Sequence, residues 1–306
     1  MCRGGVAAAV QPAQRHASDT CRVQQVWSWN FDDEFEQLVA ATSDGGPGAI
    51  LAFDVTLPGD VAGGQGPGLC STDHGTLRRS VALLRPMQLG IAVASDEGAI
   101  SGAWSFGLHF DASVDLHTEA ALGSLAAAGV DFRRHAAQGV DAARLGARLR
   151  ASPLLGSRPE GPRWVTRAGT PNLGHLLGLA TGCPLPSDAA AFSAGLSELC
   201  PQRAELAGSV SPPAPSPIPC AGCSALELLE AYLQRRRRAS AWLDGAASAA
   251  EPTALVEQAG GARAGTASSD DLNASTQGPP AGALGARAAS PQCWARAARA
   301  AMSVQP

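Results

Sequence analysis

The sequence predicts an α/β domain built on a mixed β-sheet. Short apolar runs of strand length alternate with segments in which apolar residues recur at helical spacing, and this alternation follows an initial antiparallel hairpin. Hydrophobic residues make up 45% of the 306 residues and charged residues 16%, which is typical of a folded globular protein. No apolar run approaches the roughly 18 residues that span a bilayer, so we expect no membrane segment. The net charge of −4 argues against a generally basic nucleic-acid-binding surface.

The first helix and the first long strand follow directly from local patterns. Asn30 is placed to cap a helix whose first turn is acidic, and apolar residues recur at helical spacing from Phe31 to Val39. After a glycine-rich turn, residues 49–55 form an apolar run of strand length that contains one carboxylate, Asp54. A buried carboxylate is costly unless something satisfies it, so Asp54 is either bound by backbone amides or part of a site.

The later elements alternate between strands and helices. The turn at residues 95–98 predicts an antiparallel hairpin between two apolar runs. The strands are predicted over residues 87–93, 103–110 and 164–166, and the helices over residues 118–127, 141–149, 173–180, 196–199 and 225–243.

The chain divides by composition into one domain and two tails. Residues 1–20 are predicted to be a disordered N-terminal tail, and residues 21–244 the folded domain. Residues 245–306 are small and polar with few large apolar side chains, and we predict a disordered Ala/Gly/Ser/Pro-rich tail there. Residues 209–219 carry five prolines and are expected to be irregular.

The eight cysteines are scattered, which favours reduced thiols over a disulfide framework. Cys220 and Cys223 form a lone C-x-x-C pair without a second ligand pair nearby. Zinc binding, redox chemistry and no function at all remain open for this pair.

Several blocks of the sequence resemble, in the same order, those of the CAF-one/Pop-two deadenylases. Residues 25–35 resemble the family's opening segment, and residues 52–59 (A-F-D-V-T-L-P-G) its M-D-T-E-F-P-G strand. The later blocks are residues 83–91, similar to L-L-K-x-I-Q-L-G-L, residues 104–110, similar to W-Q-F-N-F-x-F, residues 129–139, similar to G-I-x-F-x-x-H-x-x-x-G, and residues 163–177, similar to W-L-S-F-H-S-G-Y-D-F-G-Y-L. The resemblance covers about residues 21 to 240.

The resemblance implies an RNase H-like α/β fold of the DEDD exonuclease class. It also implies a hydrolase that removes poly(A) tails from mRNA in the 3' to 5' direction, with Mg²⁺ or Mn²⁺ as cofactor. The implied partners are the NOT scaffold and a second deadenylase subunit of the CCR-four/NOT complex, together with poly(A) RNA. The implied location is the nucleus and the cytoplasm.

Carrying the family's site positions over one by one gives a depleted set of metal ligands. The metal-ligand candidates by this resemblance are Asp54, the first aspartate, and Glu205, the third acidic position. Asn172 stands where the second motif has an aspartate, and its amide oxygen is neutral. Substituted positions are Thr56 in place of a glutamate, Pro219 in place of the histidine that acts as general base, and Ser224 in place of the last aspartate. Since magnesium favours charged oxygen ligands, this set predicts impaired catalysis.

Three functions remain open from the sequence. The chain is a binding subunit with an impaired active site, a slow metal-dependent 3' exoribonuclease that uses Asp54, Glu205 and Asn172, or a decaying gene copy or faulty gene model. The third alternative rests on two features: the segment before Cys220 is proline-rich and shorter than in the family by about a helix, and the C-terminal tail is of low complexity.

Overall fold

The computed structural model describes the chain in five segments, residues 23–60, 74–156, 161–167, 170–206 and 220–249. The predicted N-terminal tail and the proline-rich stretch 209–219 lie outside these segments. Most of the predicted C-terminal tail also lies outside them, although residues 245–249 are helical.

The chain divides into two compact units, residues 1–233 with 289–306, and residues 234–288. The sheet and the candidate site lie in the first unit. In the second unit, the structure describes only residues 234–249, which are helical. Among the described helices, none is sufficiently long and apolar to cross a membrane.

Six strands and eight helices lie in the described segments. In chain order they are β1 (Val23–Val26), α1 (Phe31–Asp44), β2 (Ile50–Thr56), α2 (His74–Leu83), β3 (Gln88–Ala94), β4 (Ile100–Gly107), α3 (Glu119–Ala127), α4 (Phe132–Gln138), α5 (Ala142–Ala151), β5 (Arg163–Arg167), α6 (Thr170–Thr181), α7 (Ala189–Leu199), β6 (Arg203–Leu206) and α8 (Ala221–Ala249).

The strands form one mixed sheet in the order β1-β4-β3-β2-β5-β6. β2, β3 and β4 are antiparallel neighbours, whereas β1 with β4, β2 with β5, and β5 with β6 are parallel pairs. The turn between β3 and β4 closes with a hydrogen bond from Ser95 N to Ala99 O, and Gly98 adopts a φ of 87°. The predicted hairpin and mixed sheet are confirmed.

Side chains from the two faces of the sheet enter two separate apolar clusters. We call the larger one the α1 cluster, because helix α1 contributes two phenylalanines and one leucine to it. We call the other one the α8 cluster. The α1 cluster includes Phe31, Phe35, Leu38, Leu51, Phe53, Ile91, Trp164, Leu176 and Leu177, and the α8 cluster includes Ile50, Ala52, Val165, Leu206, Ala225, Leu228 and Leu229. Burial on both faces explains why β2 and β3 read as continuous apolar runs.

The start of α1 differs from the prediction in one respect. Asn30 occupies the N-cap position, but its side chain makes no capping bond. Instead, its Oδ1 accepts the N–H of Trp27 at 2.8 Å and its Nδ2 donates to the carbonyl of Gln25 at 3.0 Å. The amide therefore fixes the link between β1 and α1, because it satisfies backbone groups ahead of the helix instead of inside it.

The sequence patterns missed the weakly apolar elements. Leu77 is the one buried residue of α2, and Leu206 is the one buried residue of β6. β1 and β6 are short edge strands whose backbone hydrogen bonds come from distant partners, and local patterns carry little information about such pairing. α8 also begins earlier than predicted, at Ala221, because its first turn packs on the sheet.

Candidate functional site

Asp54 lies on β2, on the face that carries the α8 cluster. Its neighbour on β3 is Gly90, and a Cβ atom at Gly90 would lie 1.9 Å from the carbonyl oxygen of Ala221. The backbone of the first turn of α8 therefore rests directly on the sheet beside Asp54. This contact brings residues of α8 to a carboxylate that is more than 160 positions away in the chain.

Four groups of the protein surround the Asp54 carboxylate. Nδ2 of Asn172, on α6, donates a hydrogen bond to Oδ1 of Asp54 at 2.8 Å. The Ser224 hydroxyl and the backbone N–H of Val55 also hydrogen-bond to it, and the positive charge of Arg167 lies close by. A carboxylate can only accept, so the amide nitrogen of Asn172 is the end that the chemistry selects to face it.

Burial raises the pKa of Asp54 above its ordinary value of 3.8, and this effect is the largest. The hydrogen bonds from Asn172, Val55 and Ser224 and the charge of Arg167 all act in the opposite direction. Asp54 is thus a partly buried carboxylate satisfied by neutral donors and one nearby cation.

Thr56 follows Asp54 on the same face of β2. Its neighbour on β3 is Gln88, whose Oε1 accepts the backbone N–H of Ala221 at 3.0 Å. Where the family resemblance implies a second carboxylate, this chain has the hydroxyl of Thr56. The neighbouring side chain on β3, that of Gln88, holds the start of α8. Both side chains are neutral.

Glu205 is not brought to Asp54. It pairs with Thr166 on β5, whereas its neighbours Ala204 and Leu206 both pack in the α8 cluster. Because side chains alternate along a strand, Glu205 faces away from α8, on the side of the sheet opposite Asp54. Its side chain is exposed. The expectation that Glu205 would join the site is therefore corrected by strand register.

Ser224 and Pro219 are the two remaining residues that the family resemblance assigns to the site. Ser224 lies in the first turn of α8 and reaches Asp54, as the alignment of motifs implied. Pro219 lies outside the described residues.

Two residues that the sequence analysis did not single out contribute charge here. Arg167 ends β5, and its charge lowers the pKa of both Asp54 and Glu227. The pKa of Glu227 is nevertheless raised, first by burial and then by the carboxylates of Glu230 and Asp54. Glu227 lies three positions after Ser224 and so on the same side of the helix, which is the sequence signal that would have found it. Nη2 of Arg167 is buried and has no hydrogen-bond partner among the residues that the structure describes.

These residues do not fit a two-metal centre. A bridging pair of divalent cations needs several anionic oxygens, and Mg²⁺ requires oxygen ligands in near-octahedral geometry. Asp54 instead faces an amide nitrogen and a guanidinium, both of which compete with a cation. Within the described segments, no three His, Cys, Asp or Glu side chains are grouped closely enough to hold a metal ion.

Relatives of the chain include a poly(A) ribonuclease and a probable CCR4-associated factor. The chain is 28% identical over 177 residues to the poly(A) ribonuclease pop2 of Schizosaccharomyces pombe, a match that covers 56% of this chain and 51% of that protein. It is 26% identical over 185 residues to the probable CCR4-associated factor 1 homolog 7 of Arabidopsis thaliana, covering 57% and 66% of the two chains. The chain thus matches between about half and two thirds of the length of these relatives. No protein-family model matches it.

Solved structures agree with this fold. The Mg²⁺- and Mn²⁺-bound form of S. pombe Pop2p superposes with a TM-score of 0.54 at 26% identity, over 60% of this chain and 73% of that one. One chain in the structure of the yeast NOT1 MIF4G domain co-crystallised with CAF1 matches with a TM-score of 0.59 at 18% identity. The match covers 76% of this chain and 93% of that one, and it supports the fold. The predicted RNase H-like α/β fold is confirmed. Sheet order, sequence blocks and relatives therefore agree that the chain is similar to the Pop2/CAF1 deadenylases.

Proposed function

We propose that this chain acts in mRNA deadenylation and decay as a binding subunit that does not itself shorten poly(A) efficiently. The observation that carries the proposal is the hydrogen bond from Asn172 to Asp54. It puts a donor on the one carboxylate that the family resemblance would assign to a bridging role between two cations.

The local charge supports the same conclusion. Thr56, Asn172 and Ser224 stand where the family resemblance implies charged ligands. The groups that hydrogen-bond to Asp54 are therefore neutral, and the positive charge of Arg167 offsets its negative charge. Groups that act together in catalysis are strongly non-additive, so several losses at one site remove most of the activity.

The proposed partners follow from the relatives and from the preserved fold. We propose that the chain binds the NOT scaffold, a second deadenylase subunit of the CCR4-NOT complex, and poly(A) RNA, and that it is found in the nucleus and the cytoplasm. The support is the similarity to CCR4-associated factor 1 proteins and the conserved sheet.

The test combines a nuclease assay and a binding assay on the purified full chain. We expect no shortening of an end-labelled adenylate oligomer with Mg²⁺ or Mn²⁺ above the level of Asp54→Ala, the matched control for contaminating nuclease. We expect the same preparation to retain a purified NOT1 MIF4G domain. Metal-dependent shortening that is lost in Asp54→Ala would overturn the proposal, and failure to bind the scaffold would overturn its binding part.

The slow exoribonuclease that uses Asp54, Glu205 and Asn172 is less well supported. It needs Glu205 beside Asp54, and strand pairing sets the two carboxylates on opposite faces of the sheet. The third alternative, a decaying gene copy or faulty gene model, concerns a segment outside the described residues, and transcript sequencing across residues 200–225 tests it.

A further inference from the structure

Two cysteines lie together at the beginning of α8. The Sγ atoms of Cys220 and Cys223 are 2.7 Å apart, and neither belongs to a disulfide in the structure. A disulfide bond is about 2.05 Å long, so only a small movement separates the two sulfurs from bonding distance. The C-x-x-C pair that the sequence left open is therefore assembled in space.

The helix itself builds this arrangement. Cys220 precedes the first helical residue, and its Sγ accepts the backbone N–H of Cys223 at 3.2 Å, as a capping side chain does. The N–H of Cys223 also bonds to the Cys220 carbonyl at 2.9 Å. Both interactions close the first turn and hold the second sulfur over the first.

The first turn of α8 is held in place by its contacts with the sheet. Ala221 donates its N–H to the buried side chain of Gln88, and its backbone rests on Gly90. A Cβ atom on Gly222 would lie 2.5 Å from Cγ1 of Val23. The pair is thus held on a rigid platform, which favours a well-defined geometry for sulfur chemistry.

The two sulfurs differ in access. Cys220 is buried, whereas Cys223 is partly exposed. The contrast with Cys200 is clear, because burial in the α1 cluster raises the pKa of that thiol to about 12 and makes it unreactive. Cys183 is already disulfide-bonded, which corrects the expectation that all cysteines are reduced thiols. The cysteines within the described segments are therefore of three chemically distinct kinds.

Zinc binding is the other chemistry that such a pair supports. A structural zinc site takes four ligands, usually from two such pairs or from a pair with histidines. Among the residues that the structure describes, no third histidine, cysteine or carboxylate joins Cys220 and Cys223. The geometry favours sulfur–sulfur chemistry over coordination.

We propose that Cys220 and Cys223 form a redox-active dithiol that closes reversibly to an intramolecular disulfide. The oxidant is a small-molecule disulfide such as oxidised glutathione. The Cys223 thiolate attacks it, forms a mixed disulfide and releases one thiol; the Cys220 thiolate then attacks the Cys223 sulfur and releases the second thiol. Two protein thiols are oxidised, one external disulfide is reduced, and the two protons pass to the released thiols.

The modification site adjoins the candidate site through one peptide bond. Ser224 follows Cys223 and hydrogen-bonds to Asp54. Closure to the disulfide fixes the turn that presents this hydroxyl. The proposal does not depend on whether the chain cuts or only binds RNA.

The test uses the purified full chain equilibrated in buffers of reduced and oxidised glutathione, quenched by an alkylating reagent under denaturing conditions, and digested with trypsin. Arginines at positions 203 and 235 release one peptide, residues 204–235, that contains Cys220 and Cys223 and no other cysteine. In oxidised glutathione we expect this peptide unalkylated and lighter by two hydrogen atoms, and in reduced glutathione doubly alkylated.

Two single variants test the order of the steps. We expect Cys220→Ser to retain glutathione on Cys223, because no second thiol is present to displace it. We expect Cys223→Ser to take up much less glutathione, because Cys220 is buried. A wild-type peptide that carries glutathione without an internal disulfide, or that is fully alkylated in every buffer, would overturn the proposal. So would an intact folded chain that retains zinc in the wild type and loses it in Cys220→Ser.

Discussion

Gly90 of β3 and Ala221 of α8 meet backbone to backbone. No side chain fits between them, since a Cβ atom at Gly90 would lie 2.0 Å or less from the Ala221 carbonyl group. The candidate site depends on this contact, because it sets the distance between the first turn of α8 and the strand that carries Asp54. A larger residue at position 90 must lift the helix off the sheet.

We therefore expect Gly90→Ala to lower the free energy of unfolding by about 1–3 kcal/mol, as overpacking does. The measurement is urea denaturation followed by circular dichroism. Gly123→Ala is the matched control, because it lies in α3 with no heavy atom within 4 Å of the added Cβ, and helix propensity predicts a gain of roughly 0.5–1 kcal/mol. Equal effects of the two substitutions would contradict the contact.

Asn172→Asp tests the charge balance at Asp54. The substitution puts a second carboxylate where the Asn172 amide donated to Asp54. In the presence of a chelator, no cation separates the two negative charges. One of the two carboxyl groups must therefore take up a proton, and the protein loses stability. Asn172→Ala, the control, leaves Asp54 without that donor, at a cost of about 1–3 kcal/mol.

The response to Mn²⁺ separates these variants. We expect Asn172→Asp to recover stability as Mn²⁺ is added, because a ligand that binds only the folded state stabilises it. The melting temperatures of the wild type and of Asn172→Ala should not respond. A wild type that gains as much as Asn172→Asp would show that the Asn172 amide does not exclude the cation.

His175 gives the fold a predictable pH dependence. Burial lowers its pKa from 6.5 to about 4, so the folded protein binds a proton there only near pH 4. The unfolded chain takes up that proton below pH 6.5, and acid therefore favours unfolding between these two values. We expect His175 to account for a loss of about 3 kcal/mol as the pH falls through this window.

Denaturation curves from pH 7 to pH 4 on the wild type and on His175→Gln measure this contribution. The variant should show a flatter dependence of stability on pH, whatever its stability at pH 7. His109→Gln, at an exposed position, is the control and should keep the wild-type slope. Parallel curves for all three proteins would contradict the role of His175.

Glu205→Gln should leave the site unchanged. Because Glu205 is exposed and faces away from Asp54, we expect its replacement to alter stability by no more than about 0.5 kcal/mol. Calorimetric titration with Mn²⁺ should give the same result for the variant and the wild type. A loss of Mn²⁺ binding in Glu205→Gln would restore the exoribonuclease alternative.

The sequence predicted the elements whose apolar pattern is strong and local. The buried strands β2 and β3, the β3–β4 hairpin and the helix after Asn30 all carry such a pattern, and the structure confirms them. The edge strands and α2 bury little, so their positions are decided by pairing and packing across the fold.

The sequence predicted those residues of the candidate site that lie in motifs resembling the family's. The motifs placed Asp54, Asn172 and Ser224 together, and the structure brings these three into contact. They failed at Glu205, because a position one residue away on a strand faces the opposite side of the sheet. Arg167 was missed because its role is electrostatic and depends on strand order, which no local pattern encodes.

The contact between Gly90 and the first turn of α8 limits the size of the side chains at the point where the two backbones meet. At positions 221 and 222, where the turn touches the sheet, the chain has only alanine and glycine. The flanking residues are the two cysteines, of which Cys220 is buried and Cys223 is partly exposed. The sheet therefore holds the backbone of the turn in place from the middle, while the reactive side chains of the turn stand at its two ends.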